Sequence, residues 1–210
     1  MSTRFIVVRH GETAWNTETR IQGQKDSDLT PAGLAQAEAI GKRLARERFD
    51  ALFASDLGRA MRTAERIAAH CALAVIPEPR LRERSFGAGE GLTYAEVDAR
   101  WPGVFSRAAN TDPDAAIPGG ETRRRFHERI REAFESLART HGGRRVCVVT
   151  HGGVLAVLYR IVHGIPLAHA HKVAISNASY NAVAFDGDAW ALEAWDDTAH
   201  LGEATPFVES

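Results

Sequence analysis

Arg4-Phe5-Ile6-Val7-Val8 runs straight into Arg9-His10-Gly11-Glu12, and the reading of these nine residues decides the fold. A short apolar run rich in β-branched residues reads as a strand buried on both faces, as strands are inside a parallel sheet. The polar stretch from His10 to about Thr30 then reads as a loop leaving the end of that strand, where function concentrates. Thr30-Pro31 has the form of an N-cap followed by proline at the first helical position. The spacing predicts a helix from there to about Arg48, with Leu34, Ala37, Gly41 and Leu44 on its apolar stripe.

Working outward, Ala51 to Ala54 reads as a second strand and Asp56 as the cap of a helix carrying Leu57, Met61, Ala64 and Ala68 on one face. Leu73 to Ile76 completes a βαβαβ pattern. Between Pro77 and Gly120 the periodicity weakens and Pro and Gly accumulate, so residues 77–120 read as a lid or insertion with one short helix, Thr93 to Arg100. A long helix from about Glu121 to Thr140 puts Phe126, Ile130, Phe134 and Leu137 on its core side. A strand from Arg145 to Thr150 and a helix from Gly152 to Val162 follow. Val173 to Ser176, Tyr180 to Phe185 and Ala189 to Trp195 read as strands, the last two joined into a hairpin by Asp186-Gly187-Asp188. The expected fold is a single α/β domain over 1–210, with a mainly parallel sheet flanked by helices on both faces and a C-terminal hairpin. Its ligand site should lie past the carboxyl ends of the strands.

Composition narrows the function. The chain has 210 residues, 44% hydrophobic and 25% charged, which is ordinary for a globular domain with a core of its own. A net charge of -1 supplies no global field for nucleic acid or an anionic membrane, so any anion site must be local. Cys71 and Cys147 lie far apart with no metal-ligand spacing, which suggests two reduced thiols. The N-terminal apolar run is too short for a signal peptide, and no segment approaches the ~18 apolar residues of a membrane span. A cytoplasmic protein, monomer or homodimer, is expected, with no cofactor and no metal.

The strand ends carry the chemistry. They are followed by Arg9-His10-Gly11-Glu12, by Ser55-Asp56-Leu57-Gly58-Arg59, by Leu81-Arg82-Glu83 and by His151-Gly152-Gly153. Two histidines, two arginines and a carboxylate thus converge on one rim, a set suited to phosphoryl transfer through a covalent histidine. Neutral imidazole is a nucleophile near pH 7 without a separate base. Arginine forks can neutralise the equatorial oxygens of the transferring group, work that Mg²⁺ does in nucleotide kinases. A carboxyl group must still give a proton to the leaving oxygen and take one from water. The field of Arg9, Arg59 and His151 should hold His10 neutral, and a ring N–H donated to a backbone carbonyl would fix its tautomer.

These residues also resemble a known family. VRHGETAWN at 8–16, Gln22-Gly23, LTPAG at 29–33, SDLGRAMRTA at 55–64, LRERSFGAGEG at 81–91, PGGET at 118–122 and VVTHGG at 148–153 look like motifs of the histidine phosphatase superfamily, in that family's order. The superfamily includes the cofactor-dependent phosphoglycerate mutases. The resemblance implies a phosphoglycerate mutase-like fold, with His10 as the phosphorylated nucleophile, Arg9 and Arg59 gripping the phosphoryl oxygens and His151 stabilising them. Glu83 matches the general acid, with Glu90 as the competing carboxylate. Asn16, Gln22 and Gly23 match the loop lining the phosphate pocket, and Gly152 could add a backbone donor.

The expected function is metal-independent hydrolysis of a small phosphorylated metabolite. The alternatives are a phosphoglycerate mutase or a catalytically silent anion-binding module. Mutase relatives look as though they carry a longer insertion with paired arginines, a tyrosine in place of Phe86 and HGN in place of His151-Gly152-Gly153. Glu12, Arg62, the run Arg123-Arg124-Arg125, and His169 with His171 read as structural or solvated, and Trp15 reads as a packing anchor.

Overall fold

The computed structural model describes residues 2–105 and 112–202. Six strands form one sheet in the order β3-β2-β4-β1-β5-β6. They are β1 (Thr3–Arg9), β2 (Ala51–Ala54), β3 (Val75–Pro77), β4 (Arg145–Thr150), β5 (Tyr180–Phe185) and β6 (Trp190–Asp197). β3, β2, β4 and β1 pair in parallel, whereas β5 and β6 add an antiparallel edge. The fold class is therefore as expected, with four parallel strands from one edge and the antiparallel pair at the other.

The alternation of β1 explains the two layers. Phe5 and Val7 enter the cluster with Phe126, Ile130, Phe134, Leu155 and Leu158, from helices α5 (Arg123–Thr140) and α6 (Gly152–His163). Ile6 and Val8 enter the opposite cluster with Ile40, Leu44, Ala60 and Ile67, from α2 (Pro31–Leu44) and α3 (Gly58–Cys71). A strand whose alternate residues all find apolar partners must lie mid-sheet, so the site at its end is bounded on both faces. Thr13 caps the short α1 (Ala14–Thr17), Thr30 caps α2 through Gly33 N–H with Pro31 in the first turn, and Thr122 caps α5.

Several local readings need correction. Asp56 does not cap α3; Leu57 holds the cap position without a side-chain bond, and Asp26 reaches across from the long loop to accept from Gly58 N–H. Asp56 instead takes both prongs of Arg82. Leu34 is exposed, and α2 buries Gly33, Ala37, Ile40, Gly41 and Leu44 and ends at Leu44. α3 turns Ala60, Thr63, Ala64 and Ile67 inward, a stripe rotated from the one expected. Val173–Ser176 is not a strand; its backbone is spent on side chains, with Ala174 C=O accepting from Trp195 and Ser176 N–H donating to Asp196.

Within 77–120 the expected short helix is present as α4 (Tyr94–Arg100), opened by a capping box between Thr93 and Glu96. Ile21, Val97 and Ile117 form a small separate core there, packed by Phe86, Leu92, Trp101, Val104 and Phe105.

Candidate active site

β1, β4 and β2 end side by side, with Arg9 opposite Thr150 and Ala54 opposite Val149. His10 N–H donates to Thr150 C=O and Ser55 N–H to Val149 C=O, each at 2.9 Å. The sheet register itself thus brings His10, Ser55 and His151 to one rim. The His10 and His151 rings sit 5.3 Å apart between centroids, tilted by 59°.

His10 is buried, and its Nδ1 lies 2.8 Å from Gly11 C=O. A carbonyl only accepts, so Nδ1 carries the proton and Nε2 keeps its lone pair. Burial, more than the neighbouring charges of Arg59 and Arg9, holds the imidazole well below its usual pKa, against a smaller opposing effect of the Gly11 bond. The expected direction is correct, but its leading cause is desolvation rather than like charge. His151 is likewise held neutral by burial, then by Arg59, His10 and Arg9. Its Nε2 is 2.7 Å from Ser55 Oγ, and its buried Nδ1 has no protein partner.

The arginines are fixed from behind. Arg9 donates through Nη1 to Ile175 C=O, which is what the irregular segment 173–176 contributes. Arg59 donates to Gly23 C=O and Lys25 C=O at 2.7 Å and to Asp26 at 3.0 Å. It therefore ties the loop of Gln22 and Gly23 to the start of α3. Neither Nε atom has a protein partner.

Glu83 accepts from Arg84 N–H at 2.7 Å and from Gly153 N–H at 2.9 Å. A Cβ on Gly153 would stand 2.2 Å from Glu83 Oε1, so the second glycine of His151-Gly152-Gly153 is the seat of that carboxylate. Glu90 has a different task. Its Oε1 accepts from Gln24 N–H and Phe86 N–H, each at 3.0 Å, and Gly23, at φ +54°, has no room for a side chain beside it. Glu90 joins two loops.

A cavity of about 100 Å³ is lined by Arg9, His10, Arg59, Glu83, Gly152 and Gly153 together with Asn16, Gln22, Gly23 and Phe86. All nine residues expected at the site meet there except His151, which lies behind it against Ser55 and the His10 ring. Asn16 Oδ1 is occupied by Thr13 and Asn177, which leaves its amide nitrogen as the available donor. Of the residues read as structural, Glu12 accepts from Thr30, Arg62 pairs with Asp28 in solvent, and Arg124 pairs with Asp114. His171 stacks on Tyr159.

Two contributors escaped the sequence reading. Arg129 donates to the carbonyls of Arg80, Arg82 and Glu83 while pairing with Glu121, so α5 clamps the segment that presents Glu83. Ser55 bonds His151, and its sequence signals were its place at a strand end and at the head of SDLGRAMRTA.

A buried imidazole that shares a cavity of this size with two arginines and a carboxylate has the groups that phosphoryl transfer requires. The chain belongs to the histidine phosphatase superfamily (branch 1), whose model matches residues 5–198. It is 43% identical over 203 residues to a metal-independent phosphoserine phosphatase of Arabidopsis thaliana, covering 95% of this chain and 83% of that one. It is also 40% identical over 211 residues to phosphoglycerate mutase-like protein 4 of the same plant, covering 98% and 90%. A mycobacterial glucosyl-3-phosphoglycerate phosphatase, solved with VO3, superposes with a TM-score of 0.83 at 33% identity, covering 93% of this chain and 99% of that one. The chain is thus an enzyme of the phosphatase and phosphoglycerate mutase-like class.

Proposed function

We propose that this enzyme hydrolyses small phosphate monoesters through a phosphohistidine at His10. The observation that carries the reading is the His10 tautomer, with Nδ1–H spent on Gly11 C=O and Nε2 left as a neutral nucleophile. In the first step the Nε2 lone pair attacks phosphorus, the bond from phosphorus to the ester oxygen breaks, and Glu83 gives its proton to the departing alcohol. Arg9 and Arg59 neutralise the three equatorial oxygens, and the Gly152 N–H at the start of α6 faces the same charge. His151, held by Ser55, closes the site behind His10.

In the second step water attacks the phosphohistidine, Glu83 takes the water's proton, the bond from phosphorus to nitrogen breaks, and inorganic phosphate leaves. Both Glu83 oxygens accept backbone N–H groups. The proton it donates is favoured by the negative charge that the substrate brings. The arginines fill the charge-neutralising role of a cation, and among the described residues no His, Cys, Asp or Glu cluster suits a metal.

The relatives' names, phosphoserine phosphatase and glucosyl-3-phosphoglycerate phosphatase among them, fit a phosphorylated metabolite as substrate. Free thiols at Cys71 and Cys147, and the lack among described residues of any helix able to cross a membrane, agree with a cytoplasmic enzyme, monomer or homodimer. The test is a panel of phosphate esters with release of phosphate and interconversion of phosphoglycerates both measured, with and without EDTA. Phosphate release indifferent to EDTA is expected. Phosphoglycerate interconversion without net hydrolysis would assign the chain to the mutases, and activity restored only by a divalent metal would overturn the mechanism.

A further inference from the structure

Residues 174–178 lie outside the six strands, yet they touch the end of β1 at three points. Ile175 C=O accepts from Arg9 Nη1, Asn177 Nδ2 donates to His10 C=O at 3.0 Å, and Ala178 N–H donates to Arg9 C=O at 3.0 Å. The groups between are held from the far side by the end of β6 and the turn after it. Ala174 C=O accepts from Trp195 Nε1, Ser176 gives its N–H and its hydroxyl to Asp196, and Ala178 C=O accepts from His200 Nε2. The segment is a strap, with Arg9 and His10 on one side and residues 195–200 on the other.

Asp196 holds the middle of the strap. Ser176 N–H reaches its Oδ1 at 2.6 Å and Ser176 Oγ its Oδ2 at 3.2 Å, so both carboxylate oxygens are seated on the neighbour of Ile175. Asp196 N–H in turn donates to Oδ1 of the buried Asn181 at 2.8 Å, and Asn181 Nδ2 donates to Val7 C=O on β1 at 3.0 Å. The backbone departs from regular strand to allow this. The pairing of β5 with β6 slips between Tyr180 and Ala182, and Asp196 takes φ +46°. Among the described residues four other than glycine have a positive φ, and two of them, Ala178 and Asp196, lie in this assembly. A slip of this kind re-aims a side chain, and aspartate tolerates the left-handed region better than most residues.

The two arginines of the site are anchored unequally. Arg59 is fastened by Gly23 C=O, Lys25 C=O and Asp26, whereas Arg9 is fastened by Ile175 C=O and its buried Nε has no protein partner. A fork held at one nitrogen turns with its anchor, so a shift of Ile175 swings the rest of the Arg9 guanidinium against the phosphoryl group.

We infer that Asp196 is a positioning residue that aims Arg9, acting through Ser176 and Ile175. The inference rests on the phosphatase reading and adds to it a residue remote from the cavity.

The test measures kcat and KM on p-nitrophenyl phosphate, inhibition by orthovanadate, and Tm. Asp196→Gly removes the carboxylate while leaving the backbone conformation accessible. It should lower kcat at least about tenfold with little change in KM, and weaken vanadate by at least about tenfold. Asp196→Asn can still accept from Ser176 N–H and can donate to Ser176 Oγ, so it should stay within about threefold of wild type. Glu193→Gln, on the same strand but paired with Arg4 in solvent, should change neither reading. With Arg9→Lys no fork remains to be oriented, and adding Asp196→Gly should then cost less than about threefold. A lower Tm with kcat and vanadate inhibition unchanged, or the same loss with and without Arg9→Lys, overturns the inference. Should Asp196→Gly fail to fold, Ser176→Ala removes one of the two bonds and should weaken vanadate by about threefold; unchanged inhibition there overturns the inference as well. A wild-type enzyme that releases no phosphate from any ester overturns the phosphatase reading instead, and vanadate binding still reports the aim of Arg9.

Discussion

In the proposed mechanism the strand-end rim and the segment 77–120 divide the chemistry between them, and they are built on different terms. His10, Ser55 and His151 are set by strand register, inside a sheet packed on both faces, and each is buried. Glu83 stands on an irregular segment with no ladder to hold it. Its position comes from borrowed contacts: Arg129 on the carbonyls around it, Thr150 Oγ1 on Leu81 C=O, and Gly153 N–H on its carboxylate. The proposed nucleophile, His10, is thus placed by the fold as a whole, and the proposed acid, Glu83, by a few side-chain bonds that can be altered singly.

The largest effect should come from the rim. His10→Ala should abolish turnover on every substrate, by at least about 10⁴-fold, because no other group can carry the phosphoryl. The check is kcat on p-nitrophenyl phosphate and on an alkyl phosphate, with no phosphoenzyme trapped after acid quench. Residual turnover with a labelled enzyme intermediate would move the nucleophile elsewhere.

Glu83→Gln should separate the two regions. A loss of roughly 10²–10⁴-fold is expected on the alkyl phosphate, but far less in the phosphorylation step with p-nitrophenyl phosphate, whose leaving group needs no acid. Burst kinetics read that step directly. Equal loss on both esters would make Glu83 structural.

Gly153→Ala probes the borrowed contact. The added methyl would sit within 2.2 Å of Glu83 Oε1, so the carboxylate must move. A displacement of this kind should cost up to about 10²-fold on the alkyl phosphate while leaving phosphorylation by p-nitrophenyl phosphate much closer to wild type. The same loss on both substrates would show that the methyl disturbs the rim rather than the acid.

The smallest effect is in pH. His10 and His151 are held neutral in the folded protein, whereas both bind protons below about 6.5 once unfolded. Their contribution to stability is complete above that value and declines as the pH falls toward the depressed native pKa values, because the unfolded state then binds more protons. The acid limb of kcat/KM should likewise lie below about 6.5, and NMR titration of the His10 ring in free enzyme checks it. A His10 pKa above that of an isolated histidine would contradict the tautomer on which the mechanism stands.

The sequence by itself determined the parallel sheet, the order of its elements and the set of residues at its rim. Apolar runs such as Arg4–Val8, caps such as Thr30-Pro31, and the periodicity of Phe126, Ile130, Phe134 and Leu137 are local signals that burial reinforces. Tertiary structure alone decided which charges met. Whether Asp56 caps a helix or holds Arg82, whether Glu90 bridges loops or moves protons, and whether Arg129 points to solvent or to the carbonyls beneath Glu83 depend on neighbours distant in the chain. A polar side chain has several partners of nearly equal merit, and only the packed backbone around it leaves one within reach.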